Sequence, residues 1–456
     1  MPAMPGAKPA PQKKQKLAAA IVLLFALSPL GAATTYTDRP SASPIPAILL
    51  LEPRDTTALD AQIRTSQFRL KHSALPGAEL ERLGWLFVAK ARVSSDPGYI
   101  TLAGIAADTL EQSFALPAEA RLLRGHVLHA QHRFADAEKI ARALTTEKSS
   151  AAAYALLGDA LYDQGQISAA AEAYQHMVDL KPGLDSYSRA ANIRWIRGDL
   201  AGAIELQTLA VRSGGPGDSG ALAWSLVRLG QLVWQQGNAT ETLSLVRRAL
   251  ELVPEFEPAL LLEGRVLLAS GRANDALVPL ARAAQIFPLP EPRWVYAEAL
   301  RAAGRDREAT SLEAQLVREG VAEDPRTVAQ FLATRDQDSA TAVRLATGEL
   351  ENRSDVQTHS VAALALADDG RIEEAMTHAR AALAERSDDA RLLLHAGRVA
   401  ALAHQPDARD LLTRARERAQ ILLPSERRLL ETSFSLLAVE PNSATNLHQT
   451  THPKTS

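Results

Sequence analysis

The sequence predicts an all-α fold built as a solenoid, a stack of short helix pairs with no single central core. Three observations carry the prediction. First, glycines recur at a nearly fixed interval, at Gly165, Gly198, Gly237, Gly271, Gly304 and Gly370, with separations of 33, 39, 34, 33 and 66 residues. Second, small residues keep step with them. Seven positions before these marks stand Gly158, Ala191, Gly230, Gly264, Ala297 and Ala363, and five after them Ala170, Ala203, Thr242, Ala276, Ala309 and Ala375. Third, the apolar residues between marks fall at helical spacing. In the stretch from Tyr154 to Pro182, Tyr154, Leu157 and Leu161 share one face, and Ile167, Ala170, Tyr174 and Met177 share another. Gly165 breaks the chain between these two helices, and Pro182, which has no N–H to donate, stops the second. Pro254 and Pro288 take the same place, seventeen residues past their marks. The 66-residue interval is two units, with Gln337 in the turn of the unit that lacks the glycine.

These columns resemble the tetratricopeptide repeat (TPR), whose motif places small residues at the eighth and twentieth positions and proline at the thirty-second. The resemblance covers residues 78 to 423, about nine units, and implies a right-handed superhelix. The segments MVDLKPGLDSYSRAANIRWIRGDLAGAIE and GGPGDSGALAWSLVRLGQL are similar to a widespread group of bacterial TPR proteins. Abundant arginine and alanine, with lysine concentrated at the N-terminus, agree with a bacterial source.

In chain order, residues 1–33 have the layout of a secretory signal peptide. Lys8, Lys13, Lys14 and Lys16 precede an apolar run from Leu17 to Leu27, then Ser28-Pro29 and the small residues Gly31, Ala32 and Ala33. Cleavage is expected after Ala32 or Ala33. The competing reading is an uncleaved inner-membrane anchor, although the run falls short of the roughly 20 apolar residues of a spanning helix. Residues 34–77 read as a Pro/Ser/Thr-rich tether followed by a leading helix from Thr57 to His72. The array occupies 78–423. Its first unit is stretched by SSDPG, and the loop SGGPGDSG lengthens the spacing after Gly198. His132 and His404 replace the turn glycine in two units. Residues 424–440 read as a capping helix that covers the open end of the stack, and 441–456 as a disordered tail.

Composition narrows function. A net charge of −3 gives no electrostatic footprint for nucleic acid. With no cysteine, disulfides, thiol nucleophiles and Cys-ligated zinc are all excluded. No phosphate loop, dinucleotide fingerprint or nucleophile elbow is present, so no catalytic residue and no cofactor is expected. The TPR resemblance instead implies a concave surface built from the second, fifth, ninth, twelfth and thirteenth positions of each first helix. All five tryptophans fall on that register: Trp85 at the ninth, Trp195 and Trp234 at the twelfth, Trp224 at the second and Trp294 at the fifth. Tyr162 is at a twelfth position. Asp159, Asp163, Asn192, Gln231, Gln235, Arg265 and Glu298 would surround them. Aromatic rings amid polar groups suit recognition of a peptide or protein segment. The plainer alternative is that the rings only seal neighbouring helices together.

A third reading concerns His126, His129 and His132, three apart on one helix, with Asp159 and Asp163 on the adjacent unit. Two histidines and a carboxylate are a zinc-ligand set, but no HExxH motif accompanies them. The expectation is therefore a non-catalytic scaffold of the bacterial cell envelope, periplasmic or secreted, with a membrane-tethered assembly or chaperone factor as the alternative. A metal-dependent protein at His126 and His129 comes third.

Overall fold

The computed structural model describes residues 45–438, apart from residues 56, 95, 115–116 and 216–218. The signal-peptide reading, most of the tether and the tail reading therefore fall outside the described residues. Among the described residues every regular element is helical. A 3-10 turn at Ala47–Leu50 buries Leu49 completely in a core that it shares with α1 (Ala58–His72) and α2 (Pro76–Ser94). Thr57 caps α1 and exchanges hydrogen bonds with Asp60, closing a capping box.

Ten helix pairs follow, of which α2 with α3 (Gly98–Ser113) is the first. The next are α4 (Pro117–Ala130) with α5 (Phe134–Glu147), α6 (Ala151–Asp163) with α7 (Ile167–Leu180), and α8 (Leu184–Ile196) with α9 (Leu200–Ser213). Then come α10 (Ser219–Gln235) with α11 (Ala239–Leu252), α12 (Glu257–Ala269) with α13 (Ala273–Ile286), and α14 (Pro290–Ala302) with α15 (Asp306–Glu323). The last three are α16 (Pro325–Thr334) with α17 (Ser339–Leu350), α18 (Val356–Asp368) with α19 (Ile372–Ala382), and α20 (Ala390–Leu402) with α21 (Ala408–Glu417). After a short 3-10 turn at Ala419–Ile421, α22 (Pro424–Leu436) packs on α20 and α21. Short connections and dense contact within each pair make its two helices antiparallel neighbours. The described residues form an α-solenoid of ten such pairs, against about nine expected from the repeat.

The crossing positions behave as close packing requires. A Cβ on Gly158 would collide with the Tyr174 ring, and one on Gly264 with the Leu280 side chain. The turn glycines all have positive φ, from +73° to +85°, where a side chain is strained. His132 (φ +58°) and His404 (φ +52°) accept that conformation in place of glycine. In the eighth pair it is Asp336 (φ +53°), not Gln337, that fills this role. Asp338 follows at φ +43° and caps α17. One extra residue in this turn shifts the position by one, which the period alone conceals.

The solenoid closes on itself after six pairs. The α6–α7 turn in the third pair meets the loop that enters the ninth: Ser354 N–H donates to the Asp163 carbonyl at 3.1 Å, and Arg353 lies 3.3 Å from the Asp163 carboxylate. The fourth pair meets the entry to the tenth through Arg197 and Glu385, 3.2 Å apart. The fifth meets the entry to the cap through Gln420, which donates to the carbonyls of Trp234 and Gln235. Val356 and Leu392 add apolar surface to the core of the third and fourth pairs. This seam narrows the concave side from an open groove to a partly open axial space.

Candidate functional site

The axial space holds two adjoining cavities, of about 410 and 160 Å³. The larger is walled by first helices α8, α10 and α12, by the start of α14 and by the segment Ile421–Leu422 before the cap. Trp195 and Trp234 stand at equivalent positions one unit apart, so the solenoid's repeat brings both rings to the same wall. The Trp195 Nε1–H donates to Gln235 Oε1 at 3.0 Å, which fixes the ring's orientation. Trp234 is buried and carries the Arg265 guanidinium 5.9 Å above its ring. Arg265 also reaches Glu291 at 2.9 Å and the Ile421 carbonyl at 3.1 Å, which ties the wall to the segment before the cap.

Arg228, outside the concave register, is the residue that sequence reasoning missed. It is half-buried and lies 5.9 Å from the Trp195 ring and 5.8 Å from that of Trp224, which is 45% exposed. Its guanidinium donates to Gln231 Oε1 at 2.6 Å and Asn192 Oδ1 at 3.1 Å. Four predicted groove residues, Asn192, Trp195, Trp224 and Gln231, thus meet at one cation. The signal available was the i,i+4 spacing of Trp224 and Arg228, which puts both on one helix face.

Other predicted residues are employed elsewhere. Trp294 is 2% exposed, donates to Glu298 at 3.2 Å and packs edge-on against Phe331. Glu298 is buried with Arg335 at 3.1 Å. Both belong to the α14–α16 contact, where they seal the solenoid, although Trp294 also borders the smaller cavity. Asp159 takes two hydrogen bonds from Arg189, at 2.8 Å each, and one from the Tyr174 hydroxyl. Burial opposes its ionisation, but Arg189 outweighs that and holds the carboxyl far below the usual range. Asp163 belongs to the seam, and Tyr162 packs at the edge of the core of the third and fourth pairs. Trp85 sits at the other end of the array, against the His126 ring.

The three histidines diverge. His126 faces Trp85, His129 Nε2 lies 3.0 Å from Asp163 Oδ2, and His132 is in the turn, stacked on Phe134. Among the described residues no group of three or more histidines and carboxylates is placed to hold a metal ion.

The model of the tetratricopeptide repeat matches residues 122–185, 155–219 and 227–289, with the helix pairs at the spacing just described. Residues 122–219 and 227–289 carry tetratricopeptide repeats. Stacked TPR units form extended surfaces suited to protein–protein interaction. Among solved structures it is similar to that of MamA, at 17% identity over 39% of this chain and 92% of that one (TM-score 0.30). PilW, a widely conserved type IV pilus biogenesis factor, is 14% identical over 45% of this chain and 94% of its own (TM-score 0.39). The human IFIT1 dimer with PPP-AAAA is 14% identical over 79% and 89%, respectively (TM-score 0.46). No curated protein sequence matches the chain. Among the described residues no helix of this TPR array is long and apolar enough to cross a membrane.

Proposed function

We propose that this protein is a non-catalytic scaffold of the bacterial cell envelope that takes a peptide or protein segment at the aromatic wall of its axial cavity. One observation carries the reading. Three successive first helices bring Trp195, Trp234, Gln231, Gln235 and Arg265 to a single cavity, with exposed Trp224 beside it. Large rings with neighbouring hydrogen-bonding groups are the usual anchors of a protein interface. The narrowness of the space favours a short segment over a long extended one. Export rests on the residue order of 1–33, and mass spectrometry of the mature N-terminus tests it; a chain starting at Met1 supports the membrane-tethered alternative.

Capture from native cell envelopes with a C-terminal tag tests the site. Trp195→Ala is the variant to use, because Trp234 belongs to the core and its removal would cost roughly 3–5 kcal/mol of stability. A partner held by the wild type and lost by a folded Trp195→Ala protein supports the cavity as the recognition site. A partner held equally by both moves recognition to the convex face or the termini.

A further inference from the structure

The larger cavity contains a guanidinium and a carboxyl group that do not meet each other. Among the described residues Arg228 makes only two side-chain hydrogen bonds, both to neutral side-chain amides, and no carboxylate pairs with it. A guanidinium has five N–H donors in a fork that suits a carboxylate. The two indole rings, at 5.9 and 5.8 Å, lie beside it without neutralising it. On the wall of the same cavity stands Glu257, the first residue of α12, half-buried and without a cationic partner among the described residues. Of the other charged groups on the wall, Glu291 pairs with Arg265 and Arg391 with Glu426 in the cap, while Asp324 and Asp389 accept backbone N–H bonds as the N-caps of α16 and α20. Burial and the nearby Glu291 push Glu257 up to about 8, so a cation beside it is needed to hold the carboxylate ionised at neutral pH. Leu261, Leu262 and Pro258 line the space between.

We propose that this cavity binds a zwitterionic peptide ligand, its carboxylate on Arg228, its ammonium on Glu257 and its apolar body against Trp195, Trp234 and the leucines. The assignment rests on the groove reading above and adds the ligand's charge pattern. Leaving either group unpaired in a partly dry cavity is unfavourable, and a ligand with both charges satisfies the two at once. The carboxylate and ammonium come either from the free ends of a short peptide or from acidic and basic side chains of an internal segment.

The test titrates the full-length protein, followed by tryptophan fluorescence and calorimetry, with defined peptides. The probes are Leu-Ala-Leu with free ends, its N-acetylated, C-amidated and doubly blocked forms, and doubly blocked Lys-Leu-Ala-Glu. The free tripeptide or the charged blocked peptide is expected to bind, and which of them does so identifies the source of the charges. Amidation should weaken the free tripeptide about tenfold or more in the wild type and have no effect in Arg228→Gln. Acetylation should do the same in the wild type and have no effect in Glu257→Gln. Circular dichroism establishes that both variants are folded, and each serves as the control for the other. Equal binding of the neutral, doubly blocked Leu-Ala-Leu would overturn the charge assignment and leave the aromatic cavity as a peptide site. Absence of binding by all five peptides also overturns it, and Trp195→Ala capture then decides the groove reading independently.

Discussion

Alanine at Gly165 and alanine at Gly304 differ in one respect, and the difference measures the seam. Both glycines turn the chain between paired helices, at φ +73° and +75°. In each, a Cβ in the left-handed region costs roughly 1–2 kcal/mol. Nothing lies within 4 Å of the Cβ position at Gly304, whereas at Gly165 the Ser354 carbonyl oxygen is already inside contact distance. A backbone carbonyl cannot rotate away as a side chain does, so Gly165→Ala must part the third pair from the loop before the ninth. That separation removes the 3.1 Å hydrogen bond from Ser354 to Asp163, worth roughly 0.5–1.5 kcal/mol. It also strains the Arg353–Asp163 ion pair, whose side chains are only 17% and 16% exposed; a partly buried pair adds about 1 kcal/mol. Gly165→Ala should therefore be less stable than Gly304→Ala by about 2 kcal/mol. Urea unfolding followed by tryptophan fluorescence reads the difference, and small-angle scattering should show a larger radius for Gly165→Ala alone. Equal losses for the two variants, with unchanged dimensions, would refute the seam.

Two further outcomes follow from the packing and from one buried imidazole. Gly264→Leu should force α12 and α13 apart, because even its Cβ would overlap Leu280, with a loss of roughly 1–3 kcal/mol or more in urea unfolding. Asp306→Ala, at a side chain 72% exposed, should change stability by less than about 0.5 kcal/mol. His395 is fully buried, with Nδ1 2.8 Å from the Ser360 hydroxyl, and burial drives it down to about 4 from an ordinary 6.5. The unfolded chain then binds the extra proton first, so its contribution is complete above pH 6.5 and is lost as the pH falls toward 4. The stability advantage of wild type over His395→Gln should shrink by about 3 kcal/mol between pH 7 and pH 4. A constant gap across that range would show that His395 is not buried as a neutral ring.

The repeat was legible because it depends on local rules. A glycine or a small polar residue turns the chain, a small residue lets two helices cross, and apolar spacing marks the buried face; each acts within one unit and recurs. These rules located the helix pairs and the fold class. They also put Trp195, Trp224 and Trp234 together, because equivalent positions in neighbouring units are neighbours in space. They failed where a unit has an extra residue, as at Asp336 and Gln337. They also failed for Trp294 and Glu298, which share the register of the groove residues but are buried by Phe331 and Arg335 from the adjacent unit.

The sequence by itself determined what each unit is, since the physics of a helix pair is short-range. The tertiary structure decided how tightly the units wind. A small rotation per pair, repeated six times, brings Asp163 to Ser354 and Gln420 to Trp234, residues 191 and 186 positions apart in the chain. No local pattern encodes that sum, because each pair's packing angle is set by all the side chains between neighbouring helices. The winding turns an expected open groove into a cavity and leaves Arg228 and Glu257 in it, apart and unpaired.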